Sequence, residues 1–294
     1  MVKFSSEIRH CDPRTAANDL AAGYEGAFNF IEPHLGSYSR PKILEIGSGY
    51  GFGLCYMLKS GLDVIGVEPG SGVSFEGRFE TALDLLESNG ITPADEYLLP
   101  AHAEHLPFED NTFDIVFSIA VLEHVRNVNA VMREAIRVVK PTGIVVMNVP
   151  NYNSFYEGHY NIMWLPYVLA SKKIAKWYVR TFFDRHDYYI DELNFTTSRY
   201  LRKVTKELPE CKTFKTYYSC ERPFDKISAV YYYLSLGLTR NHWMFKFLGQ
   251  SSLLTRPILL LTGFLSRLLG WIGLAPVFNI VCFKNSEIDL AATK

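Results

Sequence analysis

No two cysteines in this chain have the spacing of a metal ligand pair or a redox pair. The five, at positions 11, 55, 211, 220 and 282, are odd in number and include no C-x-x-C, so neither a disulfide framework nor a zinc site is expected, no metal is called for, and a reducing compartment fits best. The chain also lacks an excess of either charge. With 30 Lys and Arg against 31 Asp and Glu, the formal charge is -1, which argues against nucleic acid as a partner because phosphate contacts demand a clustered basic surface. No apolar stretch follows the opening Met1, Val2, Lys3 and Phe4, so no signal peptide is expected and the location is read as cytoplasmic. Repeats and low-complexity linkers are missing too. The most unusual absence is local: between Ile227 and Ser286 there is no acidic residue, while Arg240, Lys246, Arg256, Arg267 and Lys284 supply positive charge.

Glycine is concentrated where chemistry is expected. An apolar run from Ile43 ends in Glu45, Gly47, Gly49 and Gly51, a helical stretch follows, and a second apolar run from Val64 ends on Glu68 and Pro69. This is the layout of a nucleotide site. Glycines accept backbone angles closed to other residues and leave room for a ligand, and the following helix directs its free amides into the same space. An acid at the tip of the second strand is placed to accept from a ribose diol. A dinucleotide fingerprint, G-x-G-x-x-G, would place its third glycine at position 52; that residue is Phe52.

The spacing Glu45-x-Gly47-x-Gly49-x-Gly51 resembles the first motif of class I S-adenosylmethionine-dependent methyltransferases of the type 11 kind. The likeness continues through His102 to Ser118, Val121-Leu-Glu-His-Val125 and Val139-Lys-Pro-Thr-Gly143, four matches in family order between about Ile43 and Pro150. The resemblance implies an α/β fold: a Rossmann-like, doubly wound, mostly parallel seven-stranded sheet with an antiparallel last strand. It implies S-adenosyl-L-methionine as cofactor, with Gly47, Gly49 and Gly51 against its methionine end, Glu45 at its amino group and Glu68 with Pro69 at its ribose. At the adenine, many relatives carry Asp where this chain has His102, so the contact passes to His102, the Ala103 backbone or Glu104. Ser118 is expected near the methionine portion.

Strand signals cover Lys42 to Ile46, Asp63 to Glu68, Glu96 to Leu99, Phe113 to Ser118 and Ile144 to Val149. They alternate with helices near Gly77 to Asn89 and Asn129 to Val139, the pattern of a parallel sheet with helices on both faces. Four regions are expected: an N-terminal helical cap at 1–40 whose helix carries Leu20 to Leu35, a cofactor-binding core at 41–150, a helical substrate lid at 151–210 and a C-terminal part at 211–294. The lid is read with Pro166 in a helical first turn and Thr197 as a helix cap. The C-terminal part carries strands at Thr213 to Ser219 and Val277 to Lys284. Between these, Ile258, Leu260, Leu261, Phe264, Leu265, Leu268, Leu269, Trp271 and Ile272 fall on one broad helical face with Arg267 at its border. That apolar segment, 254–274, suits peripheral contact with the inner membrane surface, packing on the sheet, or a homodimer interface; a central Arg argues against a spanning helix.

The catalytic expectation is a small-molecule methyl acceptor that is lipid-like, isoprenoid or a lipid-linked saccharide. His159, in Tyr156-Glu-Gly-His-Tyr160, and His124, in Leu-Glu-His, are the candidate proton acceptors for a hydroxyl. Asp184-Arg-His-Asp187 reads as a solvated charge cluster. The competing readings are a nucleotide-dependent oxidoreductase or epimerase, disfavoured by Phe52 and by the lack of Tyr-x-x-x-Lys beside the fifth strand, and a membrane-associated protein that binds the cofactor without chemistry.

Overall fold

The computed structural model describes residues 31–70, 77–160, 162–211, 213–218 (backbone only) and 277–284. The described chain divides into two compact units, one built on residues 31–149, 192–216 and 279–284, the other on residues 150–191, 217–218 and 277–278. The divisions fall at 149/150 and 191/192, so the last part of the expected lid, 192–210, belongs to the first unit. Of the predicted N-terminal helix, residues 31–35 are described and helical. The segment 254–274 lies outside the described residues. No helix among the described residues is long and apolar enough to cross a membrane.

The first unit is organised by one sheet. Its strands are β1 (Lys42–Ile46), β2 (Asp63–Glu68), β3 (Leu98–Pro100), β4 (Phe113–Ile119), β5 (Val139–Pro150), β8 (Thr213–Tyr218) and β9 (Val277–Phe283), in the order β3-β2-β1-β4-β5-β9-β8. β1 runs parallel to β2 and β4, β2 to β3, and β4 to β5, and the last strand is antiparallel, as the sequence led one to expect. β1 is almost wholly buried, which is why adjacent Ile43 and Leu44 are both apolar rather than alternating with polar residues. The order reverses between β1 and β4, and ligands of such sheets bind outside the carboxyl ends of the strands at that switch point.

Helices α1 (Phe52–Lys59), α2 (Arg78–Ser88) and α3 (Val128–Val138) connect the strands. In α3, Val128, Val131, Met132, Ala135 and Ile136 are buried at helical spacing, and the Asn127 side chain caps the start by accepting from Ala130 N–H at 3.1 Å. Arg137 near its end donates to the carbonyls of Leu106 and Phe108 and to Asp110, and Glu134 accepts from Leu106 N–H. The segment leading into β4 is thereby tied to α3, and the Arg137 guanidinium holds the Glu134 carboxyl below its usual range. Helix α6 (Ser198–Lys206) begins as predicted with Thr197 accepting from Tyr200 N–H.

β5 begins at Val139, five residues earlier than the apolar pattern suggests. Phe113 pairs with Val139 and Ile115 with Ile144, so residues 140–143 bulge out opposite Asp114. Asp114 stabilises the bulge through Lys140 Nζ at 2.9 Å and the Lys42 N–H at 2.9 Å. Gly143 lies against this backbone: a Cβ there would stand 2.6 Å from the Asp114 carbonyl oxygen and 2.7 Å from Val139. Gly143→Ala is therefore expected to lower stability by about 1–3 kcal/mol, an overpacking cost. Gly36→Ala, where a Cβ meets nothing within 4 Å, should stay close to wild type; urea melts of the two variants check the contrast.

The second unit has an aromatic interior. A short hairpin of β6 (Tyr156–Glu157) and β7 (Ile162–Met163) leads into α4 (Lys172–Phe183) and the single turn α5 (Tyr189–Glu192). Trp164 is buried with the rings of Tyr152 and Tyr178 edge-on to it, and the Tyr178 and Tyr160 hydroxyls donate to the carbonyls of Met163 and His186. Burying phenols this way requires those partners. Pro166 does not open a helix: Tyr167 follows it with a φ of 64°, a short 3-10 turn occupies Val168–Ala170, and α4 starts only after Ser171.

Candidate functional site

The glycine turn after β1 shows why those residues are glycine. Gly47, Gly49 and Gly51 have φ of 77°, 60° and 78°, all in the left-handed region that side chains resist. Gly47 and Ser48 donate to the Val67 carbonyl of the neighbouring strand, and Gly51 N–H donates to Ser48. A Cβ on Gly47 would also lie 2.5 Å from the Val121 side chain. Val121 comes from the loop after β4, so the two carboxyl-end loops of the switch point meet at Gly47.

Two buried carboxylates flank the turn. Glu68, 2% exposed, accepts from Gly49 N–H at 2.9 Å through Oε2 and pairs with Arg78 at 2.8 Å through Oε1. Glu45, 3% exposed at the end of β1, leaves its Oε2 without a hydrogen-bond partner. Burial pushes the Glu45 carboxyl up to about 7; the nearby Ser48 hydroxyl draws it part of the way back, and the Glu68 charge raises it further. A buried, unpartnered carboxylate beside left-handed glycines is a site for a cation or a donor. The α-ammonium of S-adenosylmethionine has that chemistry, and Glu68 retains acceptor capacity for hydroxyls because each carboxylate oxygen has two lone pairs. The donor set therefore fits the cofactor.

Other candidate cofactor residues are placed less directly. Pro69 is half-buried at the end of β2 and Ala103 is buried, while the His102 side chain is exposed. Glu104 accepts from the Arg126 and Asn127 N–H groups at 2.8 and 3.3 Å, so its carboxylate is turned to the loop between β4 and α3. Ser118, fully buried, donates to Met147 Sδ at 2.7 Å; its hydroxyl faces the sheet interior. In this structure the partners of these two side chains are Met147 Sδ and the Arg126 and Asn127 amides.

His124 sits in the loop after β4, partly exposed, with Nε2 3.8 Å from Glu123 Oε1. Asn194 clamps this loop, its side chain donating to the carbonyls of Leu122 and Val125 and its backbone N–H to that of Glu123. His159, in the second unit, is held more tightly. Its Nδ1 lies 2.6 Å from Oε1 of Glu157, which is 2% exposed and also accepts from Tyr160 N–H at 2.7 Å. Burial alone would raise the Glu157 carboxyl, but the His159 charge and the bonds from His159 and Tyr160 outweigh it and hold it below its ordinary value. A carboxylate only accepts, so the bonded Nδ1 carries a proton, and the proton that the charged ring gives up or takes back is the one on Nε2. An open cleft lined by Asn151, Tyr152, Tyr156 and Gly158 runs beside Glu157.

Arg78 and Asn194 escape the sequence motifs. An arginine at the start of a helix reads as a surface residue, and Asn194 lies 69 residues from the Val125 carbonyl it holds. Neither carries a local signal.

Residues 44–147 match the model of a family described as methyltransferase domain. The chain is 30% identical over 175 residues to an uncharacterized methyltransferase of Mycobacterium tuberculosis, covering 57% of this chain and 60% of that protein. It is 31% identical over 126 residues to a ubiquinone biosynthesis O-methyltransferase of Photobacterium profundum, covering 43% and 51%. Less than two thirds of either relative is spanned. Among solved structures, a geranyl diphosphate C-methyltransferase of Streptomyces coelicolor A3(2) superposes with a TM-score of 0.52 at 13% identity, over 90% of this chain and 80% of that one, which is a likeness of fold.

Proposed function

We propose that this chain, which belongs to the class I S-adenosylmethionine-dependent methyltransferases through its residues 44–147, transfers a methyl group to a small-molecule hydroxyl on an apolar acceptor: a lipid, an isoprenoid or a lipid-linked saccharide. The observation that carries the reading is the buried Glu45 Oε2, unpartnered beside three left-handed glycines. When bound, the cofactor supplies an activated methyl sulfonium, so the protein's task is alignment more than covalent help. Glu45 holds the ammonium, Glu68 the ribose diol, and Arg78 orients Glu68 through their ion pair. For a hydroxyl acceptor, His159 Nε2 takes the proton, its tautomer fixed by Glu157; His124 is the second candidate. The O-methyltransferase among the relatives and the apolar composition of 254–274 support this acceptor class.

S-adenosylhomocysteine is expected to bind, and Glu68→Ala to weaken it at least about tenfold, since bonds to a charged group contribute roughly 1.5–3 kcal/mol each. Calorimetry checks this. Unchanged affinity in the variant, or tighter binding of NAD by the wild type, would overturn the assignment.

A further inference from the structure

Nine large apolar side chains are exposed among the described residues, and five of them fall within residues 167–182: Tyr167, Val168, Ile174, Trp177 and Phe182. Scattered exposed apolar residues need no explanation, but a contiguous group marks an interaction surface. Trp177 and Phe182 are 52% and 62% exposed and pack edge to face at 5.5 Å, so water covers a joined aromatic pair. α4 buries Ala175, Tyr178 and Val179. At about 3.6 residues per turn, Ile174 and Trp177 occupy the arc beside that buried face, and Lys172, Lys173, Lys176 and Arg180 the arc beyond.

The helix has four cations and no acid. Lys176 pairs with Asp191, Arg180 Nε lies 3.4 Å from Asp187, and Lys172 donates to the Asp191 carbonyl at 2.8 Å; Lys173 is in no ion pair among the described residues. Aromatic residues settle at the boundary of headgroups and acyl chains, and adjacent cations meet anionic headgroups. This order of core, exposed aromatics and cations is that of a helix lying in a membrane surface. A second copy of the chain seated on this face is the alternative that the sedimentation experiment separates from a lipid surface.

We propose that the Trp177 face of α4 docks on an anionic lipid surface, with Ile174, Trp177 and Phe182 entering the headgroup boundary and Lys173 its nearest free cation. The proposal concerns residues 167–182 alone and goes beyond the methyltransferase reading, which stands or falls on cofactor binding.

The full chain is to be sedimented with vesicles of phosphatidylglycerol and phosphatidylcholine, and with phosphatidylcholine vesicles as control. Wild type is expected to pellet with the anionic vesicles at low salt, to be released as salt rises, and to show a blue shift of tryptophan emission. Ile174→Ser with Trp177→Ser should lower partitioning about tenfold or more with S-adenosylhomocysteine affinity unchanged, both residues being exposed. Lys173→Glu should weaken binding by a smaller factor. Trp177→Phe should retain binding while the blue shift shrinks, which tests the face even where the double variant fails to fold. No pelleting of the wild type removes the proposal. Pelleting that the serine substitutions do not alter, with a blue shift that Trp177→Phe does not reduce, moves the contact to another part of the chain and equally overturns it. A dimer in sedimentation velocity that the double variant splits, without vesicle binding, would make the face a subunit interface instead.

Discussion

Glu45→Gln is expected to bind S-adenosylhomocysteine about a hundredfold to a few thousandfold more weakly than the wild type at pH 8, since removing one partner of a buried ion pair costs about 3–5 kcal/mol. The pH dependence is the sharper signature. Burial raises the Glu45 carboxyl to about 7, and an ammonium ligand requires the ionised form. Wild-type affinity should therefore rise with pH up to about 7 and level off above it, while the Gln variant shows no such slope. The groups facing Glu45 are the Ser48 hydroxyl and Glu68, which is itself paired with Arg78. Folding stability moves the other way. A folded pKa raised from 4.5 to about 7 means that the unfolded chain loses the proton first, so the ligand-free protein loses stability as pH rises from about 4.5 through 7, on the order of 3 kcal/mol in all. Ligand-free Glu45→Gln should thus be the more stable protein at pH 8 and the poorer binder. Calorimetry and urea melts between pH 5.5 and 8, on the scale set by these ionisations, test both halves; a flat wild-type affinity would place the ammonium elsewhere.

His159→Gln is expected to lower turnover on a hydroxyl acceptor about 10²–10⁴-fold, the usual loss with a general base, while cofactor affinity stays nearly constant. His159 is expected to outrank His124 because Glu157 fixes its Nδ1–H and leaves Nε2 basic. Glu157→Gln should weaken that orientation and shift the pH–rate profile, a readout that simple loss of packing would not move. The sign in acid follows from the lowered Glu157 carboxyl. Its stabilisation is present above the ordinary carboxylate range and is lost as pH falls through the lowered value. Equal activity of His159→Gln and His124→Gln across neutral pH would leave alignment as the whole of the catalysis.

The sequence by itself determined the sheet and the position of the glycine turn. Strands β1, β2 and β4 are largely buried, so each is mostly apolar with its acids near the ends, and three alternating left-handed positions allow little besides glycine. It also marked Thr197 as a cap and Glu45 and Glu68 as the acids of the turn, because each lies at a fixed offset from a local element. The start of β5 was hidden, since residues 140–143 bulge around Asp114 through pairing to a distant strand, and the Lys-Pro-Thr-Gly run looks like a turn in isolation. The orientations of Ser118 and Glu104 were also hidden: a hydroxyl and a carboxylate join whichever partner the fold brings within reach, here Met147 Sδ and the Arg126 and Asn127 amides. Arg78 on Glu68, Asn194 on the 122–125 loop and the bare Trp177 face depend on residues far apart in the chain or on which side of a helix stays uncovered. Local pattern reports propensity and periodicity, whereas only the tertiary structure decides which polar atoms are paired and which apolar faces remain in water.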